Sequence, residues 1–341
     1  MTLRRIQLRE AIEVRTETTK SSRKTGCKER SGGYTAFMFP GQGSQCLGMG
    51  KKVCDLSPRS KAVWDCASDI SGIDVRKLCS KGPMKLLGLT RYQQVAVTTV
   101  NMACLSELTH YSSESADAVL GHSVGEYTAL YCAGSMGMED TFRAVDARAR
   151  IMQKLSVLSD GGMAAVIGVS HEEMQRLLKQ TEMTATITIA NDNTPRQQVL
   201  SGPRKQLKIL CRFLMGIGHR VVKLPVNGAW HSSSMSQGVD AMAAVLAEIT
   251  LHPPKIPFIM NRVGRPVSDP ALIRKYLCEQ LSSRVLWTES VRFLGMLGVL
   301  RVFEVGSRKI LSRMLNDFSF TETMIVSHVD ETFRYKRLPL S

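Results

Sequence analysis

The sequence predicts an α/β protein in which a larger α/β unit carries a smaller inserted one. Three observations lead there. Short apolar runs at Tyr34–Phe39 and Ala116–Leu120 end in glycine-rich loops that lead toward helical patterns. Residues 160–225 alternate between strand and helix periodicity in the order βαββαβ, the ferredoxin-like unit. The chain has 341 residues, 43% of them hydrophobic, which suffices for one large domain or two moderate ones.

Ordered structure is predicted from Tyr34 onward. Tyr34–Phe39 reads as a buried strand closed by Pro40-Gly41-Gln42-Gly43-Ser44. Residues 93–109 place Val95, Val97, Val100, Met102 and Leu105 at helical spacing. Ala116–Leu120 reads as a second buried strand, with a helix starting near Glu126 and another over residues 139–155. In the insertion, strands are predicted at Gly161–Val169, Ala185–Ala190, Gln197–Ser201 and Arg220–Leu224. Helices are predicted there at His171–Gln180 and Arg204–Met215. Gly161-Gly162 and Pro225 bound the unit. The chain then divides into a basic extension (1–32), a large subdomain (33–159 with 226–330), the insertion (160–225) and a C-terminal tail (331–341).

The formal net charge is +15, and residues 1–30 hold nine Lys/Arg against four Asp/Glu. Arg4, Arg5 and Arg9 suggest an organelle transit peptide, but Glu10, Glu13 and Glu17 argue against one. A basic surface suits an acidic partner. Nucleic acid is not expected as that partner, because no helix-turn-helix, zinc finger or aromatic RNA-binding signature is present. No run of about 18 apolar residues exists, so no membrane-spanning helix is expected. Nine cysteines fall without a CxxC pair or a Cys/His cluster. That usage predicts free thiols in a reducing compartment, the cytoplasm or, for a eukaryotic source, the mitochondrial matrix, and no metal site.

Gly121-His122-Ser123-Val124-Gly125 is a G-x-S-x-G sequence between a predicted strand and a predicted helix, the context of a nucleophile elbow. The plainer reading of the pentapeptide alone is a serine in an ordinary turn; the strand–turn–helix context favours catalysis. In an elbow the helix N-terminus faces developing negative charge, and the Val124 N–H is an oxyanion donor. A serine hydroxyl needs a base. Of seven histidines, His231 follows a strand end and a loop, where catalytic groups are presented. The turn should point His122 away from the hydroxyl, as a structural residue. His110, His171, His219, His252 and His328 have no comparable setting.

These residues resemble the malonyl-CoA:acyl carrier protein transacylases of fatty acid synthesis and the related acyltransferases of polyketide synthesis. The matching segments are Phe39-Pro40-Gly41-Gln42-Gly43-Ser44-Gln45, Gly121-His122-Ser123-Val124-Gly125-Glu126-Tyr127 and Val145-Asp146-Ala147-Arg148-Ala149-Arg150-Ile151-Met152. Asn193-Thr194-Pro195 with Gln198, Leu224-Pro225-Val226 with Trp230-His231, Gln280-Leu281 and Phe303-Glu304-Val305-Gly306 follow in the family's order. The resemblance spans residues 34 to 330. It implies a hydrolase-like α/β core with a parallel sheet around the inserted ferredoxin-like subdomain.

By the same resemblance, Ser123 is the nucleophile and His231 its general base. The backbone N–H groups of Gln42 and Val124 form the oxyanion hole, the glycines beside Gln42 allowing its N–H to approach the ligand closely. The Gln280 carbonyl orients the histidine. Arg148 binds the malonyl carboxylate with two parallel hydrogen bonds, and Met152, Trp230 and His122 belong to the substrate pocket. By spacing alone Arg148 would read as a solvated helix arginine beside Arg143 and Arg150. The implied substrate is malonyl-CoA and the implied partner an acidic acyl carrier protein, whose contacts include Arg204, Lys205, Lys208 and Arg212 or leave them as a solvated face. No metal or redox cofactor is implied, and a monomer is expected. Three departures stand out: Ser232-Ser233-Ser234 after the histidine, Ser307 where proline is common, and the basic extension. Alternatives are a free-standing acyltransferase loading polyketide carrier domains, a hydrolase of stalled acyl carriers, and a binding module with a decayed site.

Overall fold

The computed structural model describes residues 33–54, 56–112 and 114–329; the extension (1–32) and the tail (331–341) lie outside them. In chain order, β1 (Tyr34–Phe39) leads through α1 (Pro58–Ser71) and α2 (Thr90–Tyr111) to β2 (Ala118–Gly121), then α3 (Gly125–Cys132) and α4 (Met138–Leu158). Next come β3 (Gly161–Ile167), α5 (His171–Gln180), β4 (Thr188–Thr194), β5 (Gln197–Pro203), α6 (Arg204–Gly216) and β6 (Arg220–Lys223). The chain continues through α7 (Gln237–Ala247), β7 (Phe258–Met260), β8 (Arg265–Pro266), α8 (Pro270–Glu279) and β9 (Val285–Leu286). It closes with α9 (Trp287–Met296), β10 (Val299–Glu304), α10 (Leu311–Leu315) and β11 (Ile325–His328).

Two sheets organise these elements. The first has the order β11-β10-β1-β2-β7-β8, parallel throughout except for the β8 edge. Its central strands are buried on both faces, which is why they read as unbroken apolar runs. Phe37 and Phe39 of β1 enter one core with α2, while Ala36 and Met38 enter another with Trp287 and Val302. The second sheet has the order β6-β3-β5-β4-β9. Its first four strands are antiparallel, the ferredoxin-like arrangement, and β9 joins from outside the insertion, parallel to β4. One face packs on α5 and α6 through Val166, Leu200, Met174, Leu210 and Leu214. The opposite face turns Met163, Ala165 and Val199 toward the site.

The expected strand at Ala185–Ala190 instead runs from Thr188 to Thr194. Asn191-Asp192-Asn193 has the composition of a loop, yet all three are buried and bonded in β4. Asp192 Oδ1 accepts from Gln198 Nε2 (2.9 Å) and Thr288 Oγ1 (2.8 Å), and Asn193 Nδ2 donates to Gln197 Oε1 (2.9 Å). Partners on neighbouring β5 and, 96 residues away, Thr288 satisfy the polar groups that a loop would give to water.

Candidate active site

The loops after β1 and β2 meet at the C-terminal ends of the parallel strands, the edge where open α/β sheets present ligands. Ser123 stands between β2 and α3 with φ of 53°, in the left-handed region that non-glycine residues avoid. The turn is closed by contact. A Cβ on Gly121 would sit 2.1 Å from the Gly125 backbone, and one on Gly125 would sit 2.1 Å from the Phe39 carbonyl oxygen. Both positions therefore exclude any side chain. Gly41 obeys the same rule, since its Cβ would lie 2.1 Å from the His122 carbonyl oxygen, while Gly43 has φ of 106°. Gly41 is thus fixed by packing against the elbow and Gly43 by backbone conformation.

Ser123 Oγ lies 2.9 Å from His231 Nε2, and His231 Nδ1 lies 2.8 Å from the Gln280 carbonyl oxygen. The carbonyl can only accept, so Nδ1 carries the proton and Nε2 accepts from the serine hydroxyl. His231 also has positive φ, 58°, so both members of the pair are held by surrounding structure in conformations they would not choose. Burial, and then the neighbouring Arg148 charge, push the imidazole down to about 3. It is neutral, and able to accept a proton, across the physiological range.

Arg148 is fully buried, whereas the side chains of Arg143 and Arg150 on the same helix are each 57% exposed. The guanidinium rests on neutral acceptors. Nη1 donates to Gln94 Oε1 (2.6 Å), and Nη2 donates to Gln280 Oε1 (2.8 Å) and Ser123 Oγ (3.2 Å). Arg148 Nε has no partner among the described residues. A buried cation without a bonded anion is costly, and this arrangement suits an anionic ligand at the serine.

A cavity of about 210 Å³ opens at Ser123, bounded by Gln42 and Ser123 below and by Met163, Ala165 and Val199 of the inserted sheet above; Arg148 is not among the residues that line it. Met152, Trp230 and His231 also line it. Trp230 is buried, and its ring lies over Gly228, where a Cβ would come within 2.3 Å. His122 lines the cavity too and meets Asn193 Oδ1 at 2.9 Å, so the elbow is bonded across to β4. Ser307 is accommodated: its hydroxyl donates to the Ser44 carbonyl (2.8 Å), fastening the loop that carries Gln42. Glu304 accepts backbone N–H bonds from Ile310, Leu311 and Ser312, which shapes the cavity wall at Ile310 and Leu311.

Sequence reasoning missed four residues here. Asn261 Oδ1 accepts from the Ser123 N–H (2.8 Å), and its Nδ2 donates to the Gly121 carbonyl (2.6 Å). Glu126 accepts from the Asn261 N–H (2.6 Å) and from Gln280 Nε2. Burial pushes its carboxyl up to about 8, against the downward pull of those two donors and Arg148. Gln94 holds Arg148, and Asn193 holds His122. Glu126 and Asn193 lie inside segments that match the family, which was the available signal; Gln94 and Asn261 carried none. Among the described residues no group of three or more His, Cys, Asp or Glu could hold a metal ion, and no helix is long and apolar enough to cross a membrane.

The model of the acyl transferase domain family matches residues 36–311. The chain belongs to that family. It is 31% identical to the malonyl CoA-acyl carrier protein transacylase of Salmonella typhimurium over 87% of this chain and 96% of that protein. It is 36% identical to the polyketide biosynthesis protein ThaF of Burkholderia thailandensis over 82% of this chain, but spans only 24% of that longer protein. The crystal structure of the acyl-carrier-protein S-malonyltransferase from Bartonella henselae superposes with a TM-score of 0.82 at 30% identity, covering 89% of this chain and 99% of that one.

Proposed function

We propose that this acyltransferase moves a malonyl group from malonyl-CoA to the phosphopantetheine thiol of an acyl carrier protein, by way of an ester on Ser123. One observation carries the proposal: the buried Arg148 guanidinium converges on a serine hydroxyl that already donates to a neutral imidazole. The names of the Salmonella and Bartonella relatives support the same substrates.

In this reading Ser123 Oγ attacks the thioester carbonyl as its proton passes to His231 Nε2. The Gln280 carbonyl stabilises the imidazolium through Nδ1–H. The oxyanion is held by the N–H groups of Gln42 and Val124, the latter at the N-terminus of α3. The C–S bond breaks, the C–O ester remains, and coenzyme A leaves with the proton from His231. The carrier thiol then loses its proton to His231 and attacks the ester, returning Ser123 to its hydroxyl form. Arg148 pairs with the malonyl carboxylate. That pairing offsets the charge that depresses His231, so the base strengthens as substrate seats. Met152, Trp230 and His122 shape the acyl pocket, and no metal or redox cofactor enters the scheme. A hydrolase of uncharged acyl chains would gain nothing from the buried guanidinium.

The similarity to ThaF favours a second reading of the acceptor, a carrier domain of a polyketide pathway. The test is a transfer assay with malonyl-CoA and two holo carrier proteins, one from each pathway. Malonyl-carrier formation with ping-pong kinetics, lost in Ser123→Ala, is expected. Release of free malonate in place of malonyl-carrier would contradict transfer, and the relative rates identify the acceptor.

A further inference from the structure

We propose that Glu126 is a positioning residue that fixes the side-chain amide of Gln280 and, through it, holds Arg148 aimed at the acyl site; this rests on the acyl-transfer reading above. Glu126 is fully buried in the first turn of α3, three residues after the nucleophile. The Ser123 carbonyl can only accept and the Arg148 guanidinium can only donate. Gln280 therefore turns its Nε2 toward the Ser123 carbonyl (3.1 Å), and the same Nε2 also donates to Glu126. Only the amide oxygen is left to face Arg148, whose Nη2 donates to it at 2.8 Å. Reversing the amide would set its oxygen against the carboxylate and the Ser123 carbonyl, and its NH2 against the guanidinium. Glu126, as the second acceptor of Nε2, thus holds the orientation that leaves an acceptor for arginine.

The second oxygen of Glu126 accepts from the backbone N–H of Asn261, whose side chain clamps the elbow at Ser123 N–H and the Gly121 carbonyl. One buried acid therefore connects the serine turn, the histidine-bonded residue Gln280 and the guanidinium. Its distance from Arg148 matters as much as its charge. A carboxylate bonded directly to Arg148 would compete with the substrate's own. With Gln280 interposed, the guanidinium rests on neutral acceptors and is bonded to no carboxylate among the described residues.

The experiment compares wild type, Glu126→Gln, Gln280→Met and the double variant. Acyl-enzyme formation is measured with malonyl-CoA and with acetyl-CoA, which has no distal carboxylate, and thermal unfolding is recorded for each. Glu126→Gln keeps an acceptor for Asn261 but presents an NH2 to Gln280. The amide then loses its second acceptor, and its hold on Arg148 loosens. The malonyl-to-acetyl ratio of kcat/KM should fall about 10- to 100-fold, the range of one charge-assisted hydrogen bond. Gln280→Met, which keeps the main-chain carbonyl for His231, should show the same fall, and the double variant no further one. A merely structural role would lower both substrates alike, so an unchanged ratio overturns the proposal, as does full additivity in the double variant. If Glu126→Gln does not fold, Glu126→Asp, which draws the acceptor away from Gln280 by one methylene, decides by the same ratio. A wild type that forms no acyl-enzyme shows in the control and overturns the acyl-transfer reading with it.

Discussion

Replacing Arg148 by alanine tests the substrate assignment at its strongest point. The guanidinium now spends Nη1 on Gln94 and Nη2 on Gln280 and Ser123, all neutral acceptors, in a fully buried site. A malonyl carboxylate would take two charge-assisted bonds there, each about 1.5–3 kcal/mol. Their loss, allowing for non-additivity, amounts to roughly 3–5 kcal/mol, or about 10²- to 10⁴-fold in kcat/KM for malonyl-CoA. Acetyl-CoA places no charge near Arg148. It loses only the support of the 3.2 Å Ser123 bond, so its rate should change less than about tenfold. Arg148→Lys keeps the charge without the fork and should recover only part of the malonyl rate. The assay is rapid-quench acylation with each thioester, read by intact mass. An unchanged malonyl-to-acetyl ratio in Arg148→Ala would refute the assignment.

Further predictions concern the base, the elbow and the pocket. With His231 pushed down to about 3, its neutral form persists on acidification, so the acylation rate should stay nearly level from about pH 8 to 5; a loss centred near 6.5 would contradict this. The linked stability has a definite sign. The folded value lies below the unfolded one of about 6.5, so the stabilisation is complete above that pH and lost as pH falls toward 3, measurable as a falling Tm. Gly125→Ala puts a methyl group 2.1 Å from the Phe39 carbonyl oxygen, which should cost more than about 3 kcal/mol in denaturant titration and abolish acylation. Trp230, buried at the cavity wall, should favour malonyl over methylmalonyl. Equal use of both in competition would count against that, and Trp230→Ala should narrow the gap.

The readable part of this protein was its periodicity and its glycines. Helix α5 ends where the pattern ends, and α6 within a residue of it, because each has one apolar face on the inserted sheet. The elbow was legible because Gly121 and Gly125 have no steric alternative. The serine, histidine and arginine were marked by motifs, and the structure brings all three together. Polar groups with long-range partners were not legible. Asn261 lies 138 residues from Ser123, and Gln94 lies 54 from Arg148, so no local pattern links them. The strand at Asn191-Asp192-Asn193 was displaced in part for the same reason: these loop-like residues are bonded by Gln198 on the adjacent strand and by Thr288, 96 residues away. Gln280 was expected for its carbonyl alone, while its side chain carries a second set of contacts.

The most direct measurement is intact-mass analysis after incubation with malonyl-CoA, followed by peptide mapping, for wild type beside Ser123→Ala. The account predicts one malonyl group on the wild-type protein, mapped to Ser123, discharged when holo carrier protein is added and absent from the variant. A modification that persists in Ser123→Ala, or a wild-type protein that acquires none, would contradict it.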